Sequence, residues 1–600
     1  MRRRSLLVVA SLFFAIVMLV PSAGASRYGR GDPAKGKTGC PKKEDENKPK
    51  KHEIQCLANS GAGVARADFD GDGFSDEAVG VPLEDLGSST SPITDAGAVD
   101  VVYGSSQGLT ATGAQFIRQV LTRAGASPPE AGDQFGSALA AGDFNGDGFA
   151  DLAVGAPFED VGSVVDAGEV DLYLGSASGL GTVPAQTVTQ DSTIGGIAIA
   201  DASETGDLLG AALTWGDFNF DGKADLAVGA PGESALTLVG FILVNRTGAG
   251  AVNVLYGSST GLTGTGNQFF TQDSGNVPDS VEVGDHFGAA LTAGKIDCCD
   301  ASSDLVVGVP GEDVGTINDA GAVNILLSSG SAGLDPARIT SFWTQDTVLA
   351  GIPVQDQSEA GDQFGAALTA GDFNGDGSDD VAVGVPFEDI FSLAADMNLG
   401  DAGAVNVIYG GAGTGLTALN NQLVTQDDFS FDPTEAGDEF GAALAANNLT
   451  QDTNTTQAGT NAVDDLVVGV PLEDFLDFSG VTQVDAGIVN FVFGSPSGLV
   501  PTVNEIAESG AGDGIEAGDR FGAAVAAWNF NGADSPDVAV GVPGEDLGPF
   551  EGGITDAGAL YIQYFSVVNG LLNSAGANSF TQTDLPGTAE KGDQFGSDLY

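Results

Sequence analysis

Gly132-Asp-Gln-Phe-Gly-Ser-Ala-Leu-Ala-Ala-Gly-Asp143-Phe-Asn-Gly-Asp-Gly-Phe-Ala-Asp151-Leu-Ala-Val-Gly-Ala-Pro157 joins two strand-like runs through an acidic loop, and versions of it recur seven times between Asp68 and Pro543. Self-similarity at a fixed period identifies a repeat architecture. The loop-opening residues read as Asp68, Asp143, Asp217, Asp297, Asp372, Asn447 and Asn529, with intervals of 75, 74, 80, 75, 75 and 82 residues. The closing phrase returns as Val79-Gly-Val-Pro82, Val154-Gly-Ala-Pro157, Val228-Gly-Ala-Pro231, Val307-Gly-Val-Pro310, Val383-Gly-Val-Pro386, Val468-Gly-Val-Pro471 and Val540-Gly-Val-Pro543. The spacing varies where loops take insertions, as in Gln451 to Ala462.

Each unit contains four short strand-like runs; in the second they are Ser137 to Phe144, Asp151 to Ala156, Ala167 to Gly175 and Gln186 to Gln190. They are rich in Val, Leu and Tyr and are punctuated by Gly, Asp, Ser and Pro. No helical period of useful length follows the N-terminus. Four strands per unit in seven units predict an all-β, seven-bladed β-propeller of four-stranded blades. A linear β-solenoid is the rival, but its coils are shorter and less punctuated.

Phe135-Gly136, the loop Asp143 to Asp151, and Gly155-Ala156-Pro157 together resemble the FG-GAP repeat of integrin alpha-subunit propellers and their bacterial relatives. The resemblance runs over about residues 60 to 600. It implies seven blades, with calcium held in hairpin loops between the first two strands of some of them.

The loop residues support that implication directly. Asp143, Asn145, Asp147 and Asp151 occupy positions 1, 3, 5 and 9, so alternate side chains converge on one point. Gly146 and Gly148 permit the tight turn, and the carbonyl of Phe149 falls at position 7. Such a set suits a hard cation that takes six to eight oxygens, and a flexible all-protein cage suits calcium better than magnesium. Val154 stands where an EF-hand has its bidentate glutamate, so the loop belongs to a hairpin. Equivalent sets are Asp68, Asp70, Asp72, Phe74 and Asp76; Asp217, Asn219, Asp221, Lys223 and Asp225; and Asp372, Asn374, Asp376, Ser378 and Asp380. The fourth unit reads Asp297 to Asp304, one residue short and without glycines; the sixth carries a long insert; the seventh has Asn529 at position 1 and Ala533 at position 5. Four good calcium sites are expected, a weak or absent one in the seventh unit, and none in the fourth and sixth.

A second acidic phrase, Glu130-Ala-Gly-Asp133, and a third, Glu159-Asp160 with Asp166-Ala-Gly168, recur through the chain. They are expected to cap turns and tie blades through backbone N–H groups. A ring of further cation sites is the other reading.

Of the 21 Lys and Arg, 13 fall before residue 67, as do only 5 of the 83 Asp and Glu, so the repeats carry a formal charge of about −70 (8 − 78). That charge argues against DNA, RNA and anionic lipid as partners. Arg2-Arg3-Arg4, the apolar run Leu6 to Val20 and the small residues Ala23 and Ala25 read as a secretory signal over residues 1–25. Residues 26–63 form a polar, Lys-rich tail in which Cys40 and Cys56 could pair, and Arg30-Gly31-Asp32 matches an integrin-recognised tripeptide that chance also supplies. The propeller is assigned to 64–600, and the closing Gly592 to Tyr600 opens an eighth copy that would complete blade one. A vicinal disulfide of Cys298 and Cys299 could hold the fourth loop without metal. Asn245, Asn448 and Asn454 open glycosylation sequons.

Two His and no zinc, phosphate-loop or Ser-His-Asp pattern argue against an enzyme. The expectation is a secreted or cell-surface, monomeric, calcium-binding propeller that serves adhesion or ligand binding, with an extracellular protein or glycan as partner and no membrane span once the signal is removed. A carbohydrate-binding or glycan-active propeller and a structural surface component are the alternatives.

Overall fold

The computed structural model describes residues 67–600, apart from 89–90, 120–127, 240–241, 298–300, 336, 339–340, 393–396, 412, 414, 430–433, 456–459, 477–480, 509–513, 534, 548–552 and 569–570. The expected signal over residues 1–25, the Lys-rich stretch with Cys40, Cys56 and Arg30-Gly31-Asp32, and Cys298 and Cys299 lie outside the described residues.

Seven four-stranded antiparallel sheets make seven blades. Blade 2 is typical, with strands Ala138–Gly142, Asp151–Ala156, Glu169–Tyr173 and Gln186–Val188 in sequential order. Its second strand, DLAVGA, is buried at every residue. A continuous apolar run of this length suits a strand covered on both faces, here by the adjoining blades. The core is accordingly distributed between blades: Val99 and Val101 of blade 1 pack with Leu152 and Val154 of blade 2, and the pattern repeats around the ring.

The recurring Phe-Gly and Gly-Ala-Pro phrases owe their spacing to one close approach. Within blade 2, Gly136 N–H donates to the Gly155 carbonyl at 2.9 Å. A Cβ on Gly155 would then meet the carbonyl oxygen of Gly210, the matching residue of blade 3, at 2.1 Å. No other residue type fits such an approach. The same contact recurs at the other six junctions, and the last two set Gly541 against Gly596 and Gly80 against Gly136.

Blade 1 is completed from the far end of the chain. Asp598–Leu599 pairs antiparallel with Glu77–Val81, and Ala98–Tyr103 and Thr110–Ile117 lie outside them. Gly596 N–H reaches the Gly80 carbonyl at 3.2 Å, just as Gly136 reaches Gly155 in blade 2. The closing phrase therefore supplies the first strand of blade 1.

Each blade has the four strands expected, and separate small hairpins are added to them. Extra two-stranded hairpins join the second and third strands in blades 1, 3, 5 and 6, the longest being Ala235–Val239 with Ile242–Arg246. Thr453–Thr455 pairs with Thr460–Ala462 inside the sixth acidic loop. Among the described residues the only helical elements are two 3-10 turns, Gln426–Asp428 and Gln582–Asp584.

Glu77 breaks the pattern of the second strand. It is fully buried, beside Asp598, where the other six blades place Leu152, Leu226, Leu305, Val381, Leu466 and Val538. Burial, with the neighbouring Asp598 carboxylate, pushes its carboxyl well above the usual range. Glu77→Leu should therefore stabilise the fold, by about 1–3 kcal/mol on the scale of a buried polar group removed together with its desolvation cost. Urea unfolding at neutral pH measures this; an equal or lower midpoint would show that the acid is accommodated without penalty.

Candidate metal centre

Each acidic loop begins where the first strand of its blade runs out and is anchored by an apolar residue at position 2. Phe69, Phe144, Phe218, Phe373 and Phe530 are wholly buried there, as are Ile296 and Leu449 in the two divergent blades. In the loop of blade 2, Asp143 Oδ1 accepts the N–H groups of Gly146 and Asp147 at 2.7 and 3.0 Å, and Oδ2 accepts that of Gly148 at 2.9 Å. Asp68 does the same for Gly71, Asp72 and Gly73 at 2.7, 3.1 and 2.9 Å. Asp217 and Asp372 repeat the position 5 and 6 bonds. The position 5 carboxylate then takes the N–H of position 7 in all four loops, from Phe74, Phe149, Lys223 and Ser378, at 2.9–3.1 Å. Four separate sequences thus make one hairpin.

The geometry brings carboxylates closely together in the first loop, and among the described residues the three aspartates of the loops in blades 2, 3 and 5 do not reach that spacing. In blade 1, one carboxylate oxygen from each of Asp68, Asp70 and Asp76 lies within 4.8 Å of the others. In blade 2, Asn145 Nδ2 donates to Asp147 Oδ2 at 3.0 Å, while Asn145 Oδ1 is buried with no hydrogen-bond partner. Asn219 Oδ1 in blade 3 is also buried without one. In blades 3 and 5, Asn219 and Asn374 turn their amides to Asp225 and Asp380 at 3.3–3.4 Å. Clustered carboxylates in the first loop, and an orphaned buried carbonyl oxygen in the second and third, are each what a hard, oxygen-seeking cation would satisfy. The residues present therefore fit calcium, with Asp68, Asp70, Asp72 and Asp76 and their counterparts as its holders.

Position 9 has a second task that sequence spacing did not reveal. Asp151 Oδ2 accepts the N–H of Phe144 at 3.0 Å, and its Oδ1 accepts that of Gly175, beyond the third strand, at 3.0 Å. The same carboxylate lies buried in every blade, as Asp76, Asp151, Asp225, Asp304, Asp380, Asp465 and Asp537. Asp304, Asp465 and Asp537 keep the tie although their loops have diverged, accepting from Ser328, Gly494 and Phe565 at 2.8, 2.8 and 3.0 Å. The signal was in the sequence, since this aspartate survives where positions 1, 3 and 5 do not.

The loops also bond to one another. The residue before the position 9 aspartate donates its N–H to the opening residue of the preceding loop: Ala150 to Asp68, Ala224 to Asp143, Ser303 to Asp217, Asp379 to Lys295, Asp464 to Asp372 and Ser75 to Asn529, at 2.9–3.0 Å. The last crosses the closure between blades 7 and 1. Position 7 side chains cover the same junction, with Phe149 over Gly71, Lys223 over Gly146 and Phe74 over Gly532. Side chains called only for their carbonyls thus serve as spacers between loops.

These bonds correct the reading of two blades. Gly294 pairs with Asp304 as Gly142 does with Asp151, so the fourth loop opens at Lys295 and not at Asp297. It is one residue longer than its sisters, not shorter. An ammonium-bearing residue stands at the position where a metal loop has its first aspartate, and the Arg338 guanidinium pairs with Asp297. Asn447 pairs with Asp465, so the sixth loop opens at Asn448. Its inserted hairpin leans on the fifth loop, where Asn454 and Asn461 donate to the carbonyls of Asn374 and Gly375 at 2.9 and 3.1 Å. In the seventh loop Asn529 Nδ2 donates to the Ala533 carbonyl at 2.6 Å, which internalises the turn.

Away from the loops, the second and third acidic phrases act as ties. Asp285, Asp362 and Asp438 accept the N–H of Glu282, Glu359 and Glu435 at 2.5–2.7 Å, and Asp160 accepts that of Asp166 at 2.9 Å. Glu84, Glu159, Glu233 and Glu312 are buried and accept an amide from Gln582, Gln119, Gln190 and Gln272 of the preceding blade at 2.5–3.0 Å. Glu508 takes the glutamine's place at the seventh junction, with an oxygen within 4.8 Å of oxygens of Asp519 and Glu545.

The FG-GAP repeat family matches residues 135–173, 209–255 and 364–408, in blades 2, 3 and 5. Integrin alpha-PS5 of Drosophila melanogaster is 37% identical over 180 residues, which are 30% of this chain and 15% of that protein. The phosphatidylinositol-glycan-specific phospholipase D of Rattus norvegicus is 34% identical over 169 residues, 28% of this chain and 18% of that one. The chain thus spans a small part of the length of these relatives. Among solved structures, the periplasmic gluconolactonase of Pseudomonas aeruginosa aligns over 88% of this chain and 99% of its own with a TM-score of 0.38 and 13% identity. The rhamnogalacturonan lyase PL11 of Bacillus licheniformis aligns over 81% and 74%, with a TM-score of 0.31 and 13% identity.

Two outcomes follow for the loops. Asp70→Ala removes a donor with one backbone bond and should lower the bound calcium by one ion, with less than about 1 kcal/mol lost in chelator; Asp76→Ala strands buried N–H groups and should cost about 2–4 kcal/mol with or without calcium. Calcium titration and urea unfolding of both variants distinguish these roles, and equal losses in chelator would contradict the division.

The second outcome concerns pH. Burial, the largest cause, raises Asp76 and Asp372 to about 8 and Asp151 and Asp225 to about 7. The folded state then holds more protons than the unfolded chain between about pH 4 and 8, so metal-free stability falls as pH rises through that window. The melting temperature in chelator should be higher at pH 5 than at pH 8, and saturating calcium should remove the difference. A chelated protein that gains stability toward pH 8 would contradict this.

Proposed function

The chain carries FG-GAP repeats on an integrin alpha-like β-propeller, and we propose that it is an exported, calcium-loaded module that works by binding an extracellular partner. One observation carries the reading: four loops, Asp68–Asp76, Asp143–Asp151, Asp217–Asp225 and Asp372–Asp380, share one hairpin geometry with carboxylates or carboxamides at the same positions, and the first brings three carboxylate oxygens within 4.8 Å of one another. Calcium there would neutralise converging charge and rigidify one end of the ring. The longer connections between second and third strands then emerge from the other end on a stiff scaffold. Loops displayed on a rigid frame suit recognition.

The proposed partner is a protein, held without chemical change. Charge complementarity favours a basic docking surface, since the whole chain carries a formal charge of −62. Among the described residues no helix is long and apolar enough to cross a membrane. The N-terminal sequence, Arg2 to Ala25, supports export.

The test is retention of the exported protein on arrays of extracellular proteins and of glycans, each with calcium and with chelator. Calcium-dependent, salt-sensitive retention on one or a few proteins, with the glycan array blank, is expected, alongside uptake of about four calcium ions. A glycan hit would favour the carbohydrate-binding alternative, and calcium-independent retention would detach recognition from the loops.

A further inference from the structure

The junction between blades 2 and 3 gathers three carboxylates at the end of the ring away from the acidic loops. Glu204 and Asp207 precede the first strand of blade 3, Ala212–Gly216, and Glu233 follows the second, Asp225–Ala230. One carboxylate oxygen from each lies within 4.8 Å of the other two. Asp207 and Glu233 are buried, while Glu204 reaches solvent. No Lys, Arg or His occurs from residue 124 to 222, and among the described residues no ion pair reaches the three acids.

Two further oxygens at this junction lack a donor. Asp207 Oδ2 accepts the Glu204 N–H at 2.5 Å, but Asp207 Oδ1 is buried with no hydrogen-bond partner. Gln190, 1% exposed, reaches across from blade 2 and donates Nε2 to Glu233 Oε2 at 3.0 Å. Its carbonyl oxygen, on the same amide, is buried without a partner. Gln119, Gln272, Gln345, Gln426 and Gln582 each have such an oxygen, so the glutamine alone singles out no junction. The carboxylates do. Asp133 bonds to Glu159 where blade 1 meets blade 2, and Glu312 bonds to Asp279 where blade 3 meets blade 4. Two carboxyl groups can bond only by sharing a proton, and that settles those pairs. Asp207 and Glu233 bond instead to Glu204 N–H and to Gln190 and Ser234.

We propose that Glu204, Asp207, Glu233 and the Gln190 carbonyl hold a calcium ion that clamps blade 2 to blade 3 on the face opposite the acidic loops. Ionised carboxylates and a carbonyl only accept hydrogen bonds. A water molecule has two hydrogens to give, fewer than the acceptors that converge here. A cation satisfies them together, and an all-oxygen set drawn from three separate segments suits calcium better than magnesium. Burial, then the neighbouring Asp207 and Asp201 carboxylates, push Glu233 up to about 8, and burial raises Asp207 to about 6, so calcium would displace protons on entry. Glu233 stands two residues before the hairpin of Ala235–Val239 with Ile242–Arg246, so the ion would also fix the base of that projection. The site uses none of the loop donors and goes beyond the protein-binding reading.

The test is equilibrium dialysis of the exported full chain against radioactive calcium, with ions counted per molecule. Wild type should take up one ion more than Asp207→Asn/Glu233→Gln, whose amides keep the acceptors for Glu204 N–H and Gln190. Glu204→Gln changes an exposed side chain, leaves the buried groups in place and should weaken that one ion at least tenfold. Asp70→Ala reports the first acidic loop separately, so failure of this site and failure of the loop sites are distinguishable. Crystals grown in calcium should show an anomalous-scattering peak between Glu204, Asp207 and Glu233. An equal ion count in wild type and the double variant, unchanged affinity in Glu204→Gln, or water at that point in the calcium-grown crystal would overturn the proposal, whatever the loops bind.

Discussion

A single backbone hydrogen bond, repeated from loop to loop, is the constraint on which the rest of this molecule depends. In six of the seven blades the amide before the position 9 aspartate donates to the opening carbonyl of the loop behind it, and Ser75 to Asn529 carries the series across the closure; at the seventh blade Pro536 has no N–H, and the Ser535 hydroxyl donates to the Leu449 carbonyl instead. A loop can make that bond only if its turn is correctly wound. The winding is enforced from three sides: by the position 1 carboxylate gathering N–H groups, by the buried apolar residue at position 2, and by the position 9 carboxylate pinning both ends. Cation binding in such a loop is therefore coupled to the junction between blades as well as to the turn itself.

This coupling explains how blades can diverge without loss of the ring. The fourth blade keeps the circumferential bonds on either side of Lys295 and the Asp304 tie, and pairs Asp297 with Arg338. The sixth substitutes an inserted hairpin that hydrogen-bonds to the fifth loop. The seventh closes its turn with Asn529. In each case the position occupied by charge in the metal loops is filled by a cation, a peptide segment or an amide. Where carboxylates remain, as in blades 1, 2, 3 and 5, burial raises their proton affinity and the concentration of negative charge resists folding until a proton or a metal arrives.

Much of this was legible in the sequence, for identifiable reasons. The fold was readable because the repeat makes the same local statement seven times, and the Phe-Gly and Gly-Ala-Pro phrases record a contact only glycine permits. The completion of blade 1 by Asp598–Leu599 was readable because an eighth phrase stood at one end and none at the other. The loop residues Asp143, Asn145, Asp147 and Asp151 were readable from alternation. Loop openings in blades 4 and 6 were misplaced because an acidic or amide side chain was taken as the marker, whereas strand register puts Lys295 and Asn448 there. The roles of Phe149 and Lys223 between loops depend on neighbours about 75 residues away in the chain, and no local pattern encodes them. The extra hairpins were missed because they lie outside the repeated phrase from which the strands were read.

Amide hydrogen exchange at Ser75, Ala150, Ala224, Ser303 and Asp464, followed with calcium and then with chelator, tests the central coupling most directly. These are the donors that join one loop to the next. The account predicts slow exchange with calcium and a concerted loss of protection on its removal, extending to Ser303 in the blade that lacks a metal set. Loss of protection confined to the interior of the four acidic loops, with the junction amides unchanged, would contradict it.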